Sequence, residues 1–187
     1  MLKRAFDLVV ILGAAVPILA VCLVVAVLVK VTSPGPVLYW SNRVGVFNRI
    51  FRMPKFRTMR TDTPVVATHL LQNPAQWLTP VGSFLRSSSL DELPQLLSVL
   101  LGDMSLVGPR PALYNQVDLV AARKACGVDA LQPGITGWAQ INGRDELPIP
   151  QKVAFDHEYL QRRSFGFDLK ILLLTVVNVM LRRGVSH

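Results

Sequence analysis

The apolar positions of the chain begin with one long run. From Leu8 to Val29 there are 22 residues without a charge, preceded by Lys3 and Arg4 and closed by Lys30. A straight helix of that length rises about 33 Å, enough to cross a hydrocarbon core of about 30 Å. Pro17 falls in the middle of the run, where a proline removes a backbone hydrogen bond and clashes with the preceding turn, so a kink is expected. Both flanks are basic, with Arg43 and Arg49 following Lys30, and each end therefore favours the cytoplasm. A kinked helix that enters and leaves by one face satisfies both ends; from these residues alone, a spanning helix and a re-entrant one remain alternatives. A cleaved signal peptide is disfavoured, because no small-x-small site follows the run. Leu19 to Cys22 makes a poor lipoprotein signal, since Val21 is unsuited to it and seven apolar residues follow the cysteine.

After Ser33-Pro34-Gly35-Pro36 breaks the helix, the pattern changes. Val37 to Trp40 and Arg49 to Phe56 are β-branched and aromatic enough for two strands around a turn near Asn42 to Gly45. Residues 61 to 80, with Pro64, Pro74 and Pro80, read as a variable loop with a short helix. From Ser89 the period becomes helical: Leu93, Leu96, Leu97, Leu100 and Leu101 form one stripe that ends at Gly102. Further helices are predicted from Ala112 to Cys126, stopped by Gly127, and from Gln151 to Arg162. Residues 169 to 181 are apolar except for Lys170 and Asn178, too short to span, and are followed by Arg182 and Arg183; such a segment packs in a core or lies in the interface plane.

Composition sharpens this picture. Of 187 residues, 51% are hydrophobic and 17% charged, which excludes disorder and argues against an ordinary cytosolic surface. Cys22 and Cys126 are too far apart for a Cys-x-x-Cys clip, and no disulfide framework can be read from them. The formal charge of +8 is placed unevenly: residues 1 to 61 hold nine Lys or Arg against Asp7 alone, and the remainder is balanced. Six of those cations lie between Arg43 and Arg60, interleaved with Phe47, Ile50, Phe51, Met53 and Phe56. Anionic lipid headgroups and nucleic acid both suit such a patch, and the adjacent apolar run favours lipid.

Candidate chemistry sits in three blocks. Ser89-Leu90-Asp91-Glu92-Leu93-Pro94 puts two adjacent carboxylates at the start of a helix. Ser89 and Glu92 have capping-box spacing, so capping is one reading; with Asp91 as the cap, Pro94 falls harmlessly in the first turn. The other reading is that the neighbouring acids serve one reacting centre as nucleophile and base. In Gly108-Pro109-Arg110-Pro111, two prolines hold one arginine in a fixed loop, an arrangement suited to phosphate. Pro133 to Arg144 carries three glycines and an indole, and forms either a loop whose backbone approaches a ligand or a series of turns around a buried Trp138. His157 lies between Asp156 and Glu158, but consecutive helical residues diverge, so a metal site there is not expected.

Lys55-Phe56-Arg57-Thr58-Met59, Ser89 to Gln95, Gly102 to Pro111 and Pro133 to Arg144, in this order after one apolar segment, resemble the bacterial sugar transferases, the monotopic polyprenyl phosphate phosphoglycosyl transferases. The likeness runs to the C-terminus through Asp156, Tyr159, Ser164 and Asp168, and the length matches the minimal catalytic form. The resemblance implies a mostly helical α+β fold: a re-entrant membrane helix over 1–32 kinked at Pro17, and a catalytic domain over 33–187 on the cytoplasmic face of the bacterial inner membrane. Interfacial amphipathic helices and a small β-hairpin would surround a polar site. It implies transfer of a sugar 1-phosphate from a UDP-sugar to polyprenyl (undecaprenyl) phosphate with release of UMP. Asp91 would be the nucleophile and a Mg2+ ligand, and Glu92 the partner base. Lys55, Arg86, Arg110 and Arg144 match positions that neutralise phosphates or stabilise the site. The partners implied are the UDP-sugar, polyprenyl phosphate and a bilayer with anionic headgroups; a homodimer is allowed and no nucleic acid is expected. The alternative is a non-catalytic basic membrane-surface or scaffold protein. One departure concerns the helix break, often Ser-Pro in the family and Val16-Pro17 here, which leaves the size of the kink open.

Overall fold

The structure is a computed structural model, and it describes residues 2–64, 73–143 and 147–180. The first apolar run forms two helices, α1 (Leu2–Gly13) and α2 (Ala15–Thr32), separated at Ala14. The break lies where Pro17 dictates: with no N–H at position 17 the Gly13 carbonyl loses its helical partner, and the ring crowds that same carbonyl. The helical ladder resumes with the Ile18 N–H on Ala14 O at 3.1 Å. Only α2 has the length and hydropathy to cross a membrane among the described residues, and little of its surface is buried.

A two-stranded antiparallel hairpin follows, β1 (Leu38–Val44) and β2 (Ile50–Phe56). Its turn is a 3-10 segment, Val46–Asn48, slightly later than the predicted turn. Next come α3 (Gly82–Ser87), a 3-10 segment over Leu90–Gln95, and α4 (Leu96–Leu101). The remainder is β3 (Ser105–Val107), α5 (Val117–Ala125), β4 (Gly134–Thr136), α6 (Trp138–Ile141), α7 (Ile149–Arg162) and α8 (Phe165–Met180). The mostly helical α+β class read from the sequence is the class observed.

The chain divides into two compact units. One combines α1 with Ser41–Met53 and the chain from Leu96 onward; the other combines Gly13–Trp40 with Pro54–Gln95. The first is built on Phe51, Met53, Val99, Met104, Val107, Val128, Tyr159, Phe167 and Ile171. Within it α1 is held by polar contacts: Lys3 Nζ pairs with Asp168 Oδ2 at 2.6 Å, and the Ser105 hydroxyl donates to the buried Asp7 carboxylate at 2.7 Å. Arg4 donates to the Val99 and Leu100 carbonyls, closing the C-terminal end of α4. The Tyr159 hydroxyl donates to Asp168 Oδ1 at 2.6 Å, and burial together with that carboxylate pushes its pKa up.

Two features depart from the sequence reading. The helix expected from Ser89 starts at Leu96, because Pro94 cannot give the i→i−4 bond and the preceding turn winds as a 3-10 segment. Its leucine stripe divides: Leu93 and Leu96 each pack against a core, while Leu97 is 45% and Leu101 71% exposed. The parallel pairing of β3 with β4, Ser105 opposite Gly134 and Val107 opposite Thr136, has no counterpart among the predicted elements. It brings Gly108 and the Pro133 to Gly137 loop into backbone contact. A Cβ on Gly134 would collide with the Gly108 N–H, and one on Gly137 with the Gly108 carbonyl. The glycines of that loop therefore serve chain-to-chain packing. Trp138 is partly buried against Phe167 and donates its indole N–H to Glu158 Oε2 at 2.8 Å.

Candidate active site

The second unit gathers its polar groups around the end of β2. Phe56 turns into the small core with Val25, Val29 and Leu85, and the residues on either side of it are left to make polar contacts. Arg57, 5% exposed, closes the end of α2: its guanidinium donates to Ser33 Oγ at 2.8 Å, to Ser33 O at 2.9 Å and to Pro36 O at 2.6 Å. The Ser-Pro-Gly-Pro break is thus tied to β2 by one arginine, a role the sequence reading did not assign. Lys55, one residue before Phe56, sends its Nζ to Glu92 Oε1 at 2.7 Å, with both side chains mostly buried.

Thr58 joins α3 to this region. Its carbonyl accepts the Thr79 N–H at 2.9 Å, its hydroxyl accepts Arg86 Nε at 2.9 Å, and Gly82 passes so close to that carbonyl that a Cβ would not fit. α3 carries Arg86 in its last turn, and Ser89 follows with φ of 57°, in the left-handed region. This reverses the chain into the 3-10 segment with Asp91 and Glu92 in its first turn. The Ser89 N–H bonds to Arg86 O at 3.1 Å, so the reciprocal capping box, in which Glu92 would accept that N–H, gives way to a turn in which Glu92 pairs with Lys55.

Asp91 is 8% exposed and its charge acts on Arg86. Burial lowers the Arg86 pKa and the Asp91 carboxylate opposes that shift. Two carboxylate–cation pairs, Glu92 with Lys55 and Asp91 with Arg86, therefore lie in one unit, carried by β2, α3 and the 3-10 segment. Gln95, 2% exposed, closes the same segment, and its buried Nε2 has no hydrogen-bond partner among the described residues.

Arg110 belongs to the first unit, half-buried between the buried Pro109 and Pro111. Arg144 lies outside the described residues, as do residues 65–72 of the predicted variable loop and Arg182 and Arg183. Among the described residues no group of three or more His, Cys, Asp or Glu side chains is placed to hold a metal.

The chain belongs to the bacterial sugar transferase family, whose model matches residues 1–182. Its relatives include the uncharacterized sugar transferase EpsL of Bacillus subtilis, 40% identical over 186 residues, covering all of this chain and 91% of the relative. The UDP-glucose:undecaprenyl-phosphate glucose-1-phosphate transferase of Escherichia coli is 42% identical, covering 94% of this chain and 39% of the relative. The undecaprenyl-phosphate galactose phosphotransferase of Salmonella typhimurium is 37% identical, covering 98% of this chain and 41% of the relative. The chain thus spans nearly all of one relative and about two fifths of the other two.

Proposed function

We propose that this protein transfers a sugar 1-phosphate from a UDP-sugar to undecaprenyl phosphate, by way of Asp91. The observation that carries the reading is the buried Asp91 beside Glu92, with Lys55 and Arg86 as their cations, supported by the names of relatives that cover this chain almost entirely. An Asp91 carboxylate oxygen attacks the sugar-bearing phosphorus of the donor, the bond from that phosphorus to the UMP oxygen breaks, and UMP leaves with its electron pair. An oxygen of undecaprenyl phosphate then attacks the same phosphorus and frees the carboxylate, leaving a sugar on a polyprenyl diphosphate. Glu92 assists the second attack as base. Splitting one difficult displacement into two is the ordinary gain of covalent catalysis.

A carboxylate cannot approach a diphosphate unless the charge there is offset. Lys55 and Arg86 supply part of that offset, and Arg110 and Arg144 are assigned phosphate contacts of their own. Mg2+, an ion commonly held through one or two carboxylates plus substrate phosphates, would take Asp91 as its protein ligand. When bound, it would neutralise phosphate charge.

We also place the enzyme on the cytoplasmic face of the inner membrane, with the α1–α2 segment re-entrant. Lys3 and Asp7 are engaged by Asp168 and Ser105, and a span would carry the start of α1 away from these partners. Exposed Leu97, Leu100 and Leu101 on α4, and Leu169, Leu173 and Val176 on α8, suit helices lying in the interface plane. Measuring UMP release from UDP-glucose and UDP-galactose with undecaprenyl phosphate tests the reading. Release that depends on the lipid phosphate and vanishes in Asp91→Asn supports it. Absence of release from a panel of UDP-sugars would favour a scaffold on the membrane surface.

A further inference from the structure

The loop that carries Arg110 has an unusual problem of support. Pro109 and Pro111 have no N–H to donate, so the segment is held mainly through its carbonyls. All four from Pro109 to Ala112 are taken in turn. Pro109 O accepts the Gly134 N–H at 2.9 Å, Arg110 O accepts Arg123 Nη1 at 2.9 Å, Pro111 O accepts Arg43 Nη1 at 3.2 Å, and Ala112 O accepts the Val44 N–H at 2.9 Å. The bond to the Arg110 carbonyl comes from a side chain on a helix. Arg123 lies on α5, 8% exposed, and its Nε and Nη2 both donate to Asp156 Oδ2 of α7, at 2.9 and 2.7 Å. Asp156 is 1% exposed.

We infer that Arg123 and Asp156 form a positioning brace that sets where Arg110 presents its guanidinium, a role distinct from helix packing. The geometry supports this in three ways. A planar guanidinium can bond a carboxylate with one edge and a carbonyl with the remaining N–H, which a lysine cannot do. The pair is buried, so removing either partner leaves the other without its complement, and the arginine then has no reason to hold one orientation. The brace also meets the loop at the one carbonyl between two rigid prolines, where a displacement passes directly to the Arg110 Cα. Arg123 and Asp156 thereby extend the phosphate-binding apparatus by two residues that touch no substrate. The inference rests on the phosphate role proposed for Arg110.

The test combines hydrogen exchange with a double-mutant cycle on the full-length protein in detergent or nanodiscs. In Asp156→Asn, the peptide covering Gly108 to Leu113 should exchange faster while peptides of α1 and α8 remain as in the native protein. Arg123→Lys, which keeps the charge beside Asp156 but not the reach to Arg110 O, should do the same and serves if Asp156→Asn folds poorly. In UMP release, each brace variant should lose about tenfold or more in kcat/KM, and in an Arg110→Ala background the same change should cost less than about twofold. Equal losses in the two backgrounds, or unchanged exchange in the 108–113 peptide, would overturn the brace. If Arg110→Ala alone keeps native kcat/KM, the phosphate role of Arg110 fails and the brace with it. If the native protein releases no UMP, the proposed function fails, and the exchange data still decide whether the brace holds the loop.

Discussion

At the scale of single residues, the adjacent acids are the part of the site that sequence reads most directly, because they are neighbours in the chain as well as in space. Their partners are less legible. Lys55 lies 37 positions from Glu92, and a pairing across that distance has no periodic trace. Arg57, Arg123 and Asp156 are visible in the sequence as residues but not as contacts, since Arg57 reaches back to Ser33 and Arg123 forward to Asp156. Those contacts yield separate expectations. Arg110→Lys should fold and bind membranes normally while losing most of its UMP release, because a point charge does not reproduce a planar fork on phosphate; near-native turnover would reduce Arg110 to a structural residue. Arg57→Ala should lower stability by about 2 kcal/mol or more, as the Ser33 and Pro36 acceptors lose a buried charged donor, and a denaturant melt reads this directly. Tyr159 gives a pH signature. An unfolded tyrosine ionises near pH 10, whereas burial and Asp168 keep the folded one protonated, so its contribution is present below about pH 10 and lost as the pH rises further. In Tyr159→Phe that alkaline decline should flatten, and an unchanged slope of melting temperature against pH would contradict it.

Among the elements, those with a long period are the ones the sequence announces. The hairpin, α5 and α7 appear within a few residues of their predicted bounds, except that α5 starts at Val117 instead of Ala112. β3 and β4 have three residues each, too few for alternation to show, and their pairing depends on glycines whose meaning appears only when two backbones meet. Gly134→Ala should therefore cost about 3 kcal/mol or more or prevent folding, because the new methyl meets the rigid backbone of Gly108. Gly13, at the end of α1, has open space within 4 Å of the point where an added methyl would stand, and Gly13→Ala should be tolerated. Equal thermal stability of the two variants would contradict this account of the loop. The leucines that run from Leu93 into α4 are legible only in part: a helical stripe shows that one face is apolar, not which of its residues protein covers.

For the molecule as a whole, the proposed re-entrant topology of the apolar segment is open to direct test. Single cysteines before Phe6 and after Lys30, in a background lacking Cys22 and Cys126, should resist an impermeant reagent added outside intact spheroplasts. Labelling of either one would establish a span. Pro17→Leu should shift the segment toward that state, since the break at Ala14 depends on the missing N–H. The central claim, however, is chemical: the sugar phosphate passes through Asp91. Intact-protein mass spectrometry after incubation with a turned-over UDP-sugar and Mg2+, without undecaprenyl phosphate, tests it most directly. The account predicts a mass increase of one phosphosugar, mapped by digestion to Asp91 and absent in Asp91→Asn, with UMP released before any lipid is added. An adduct on another residue, or UMP appearing only when both substrates are present, would contradict it.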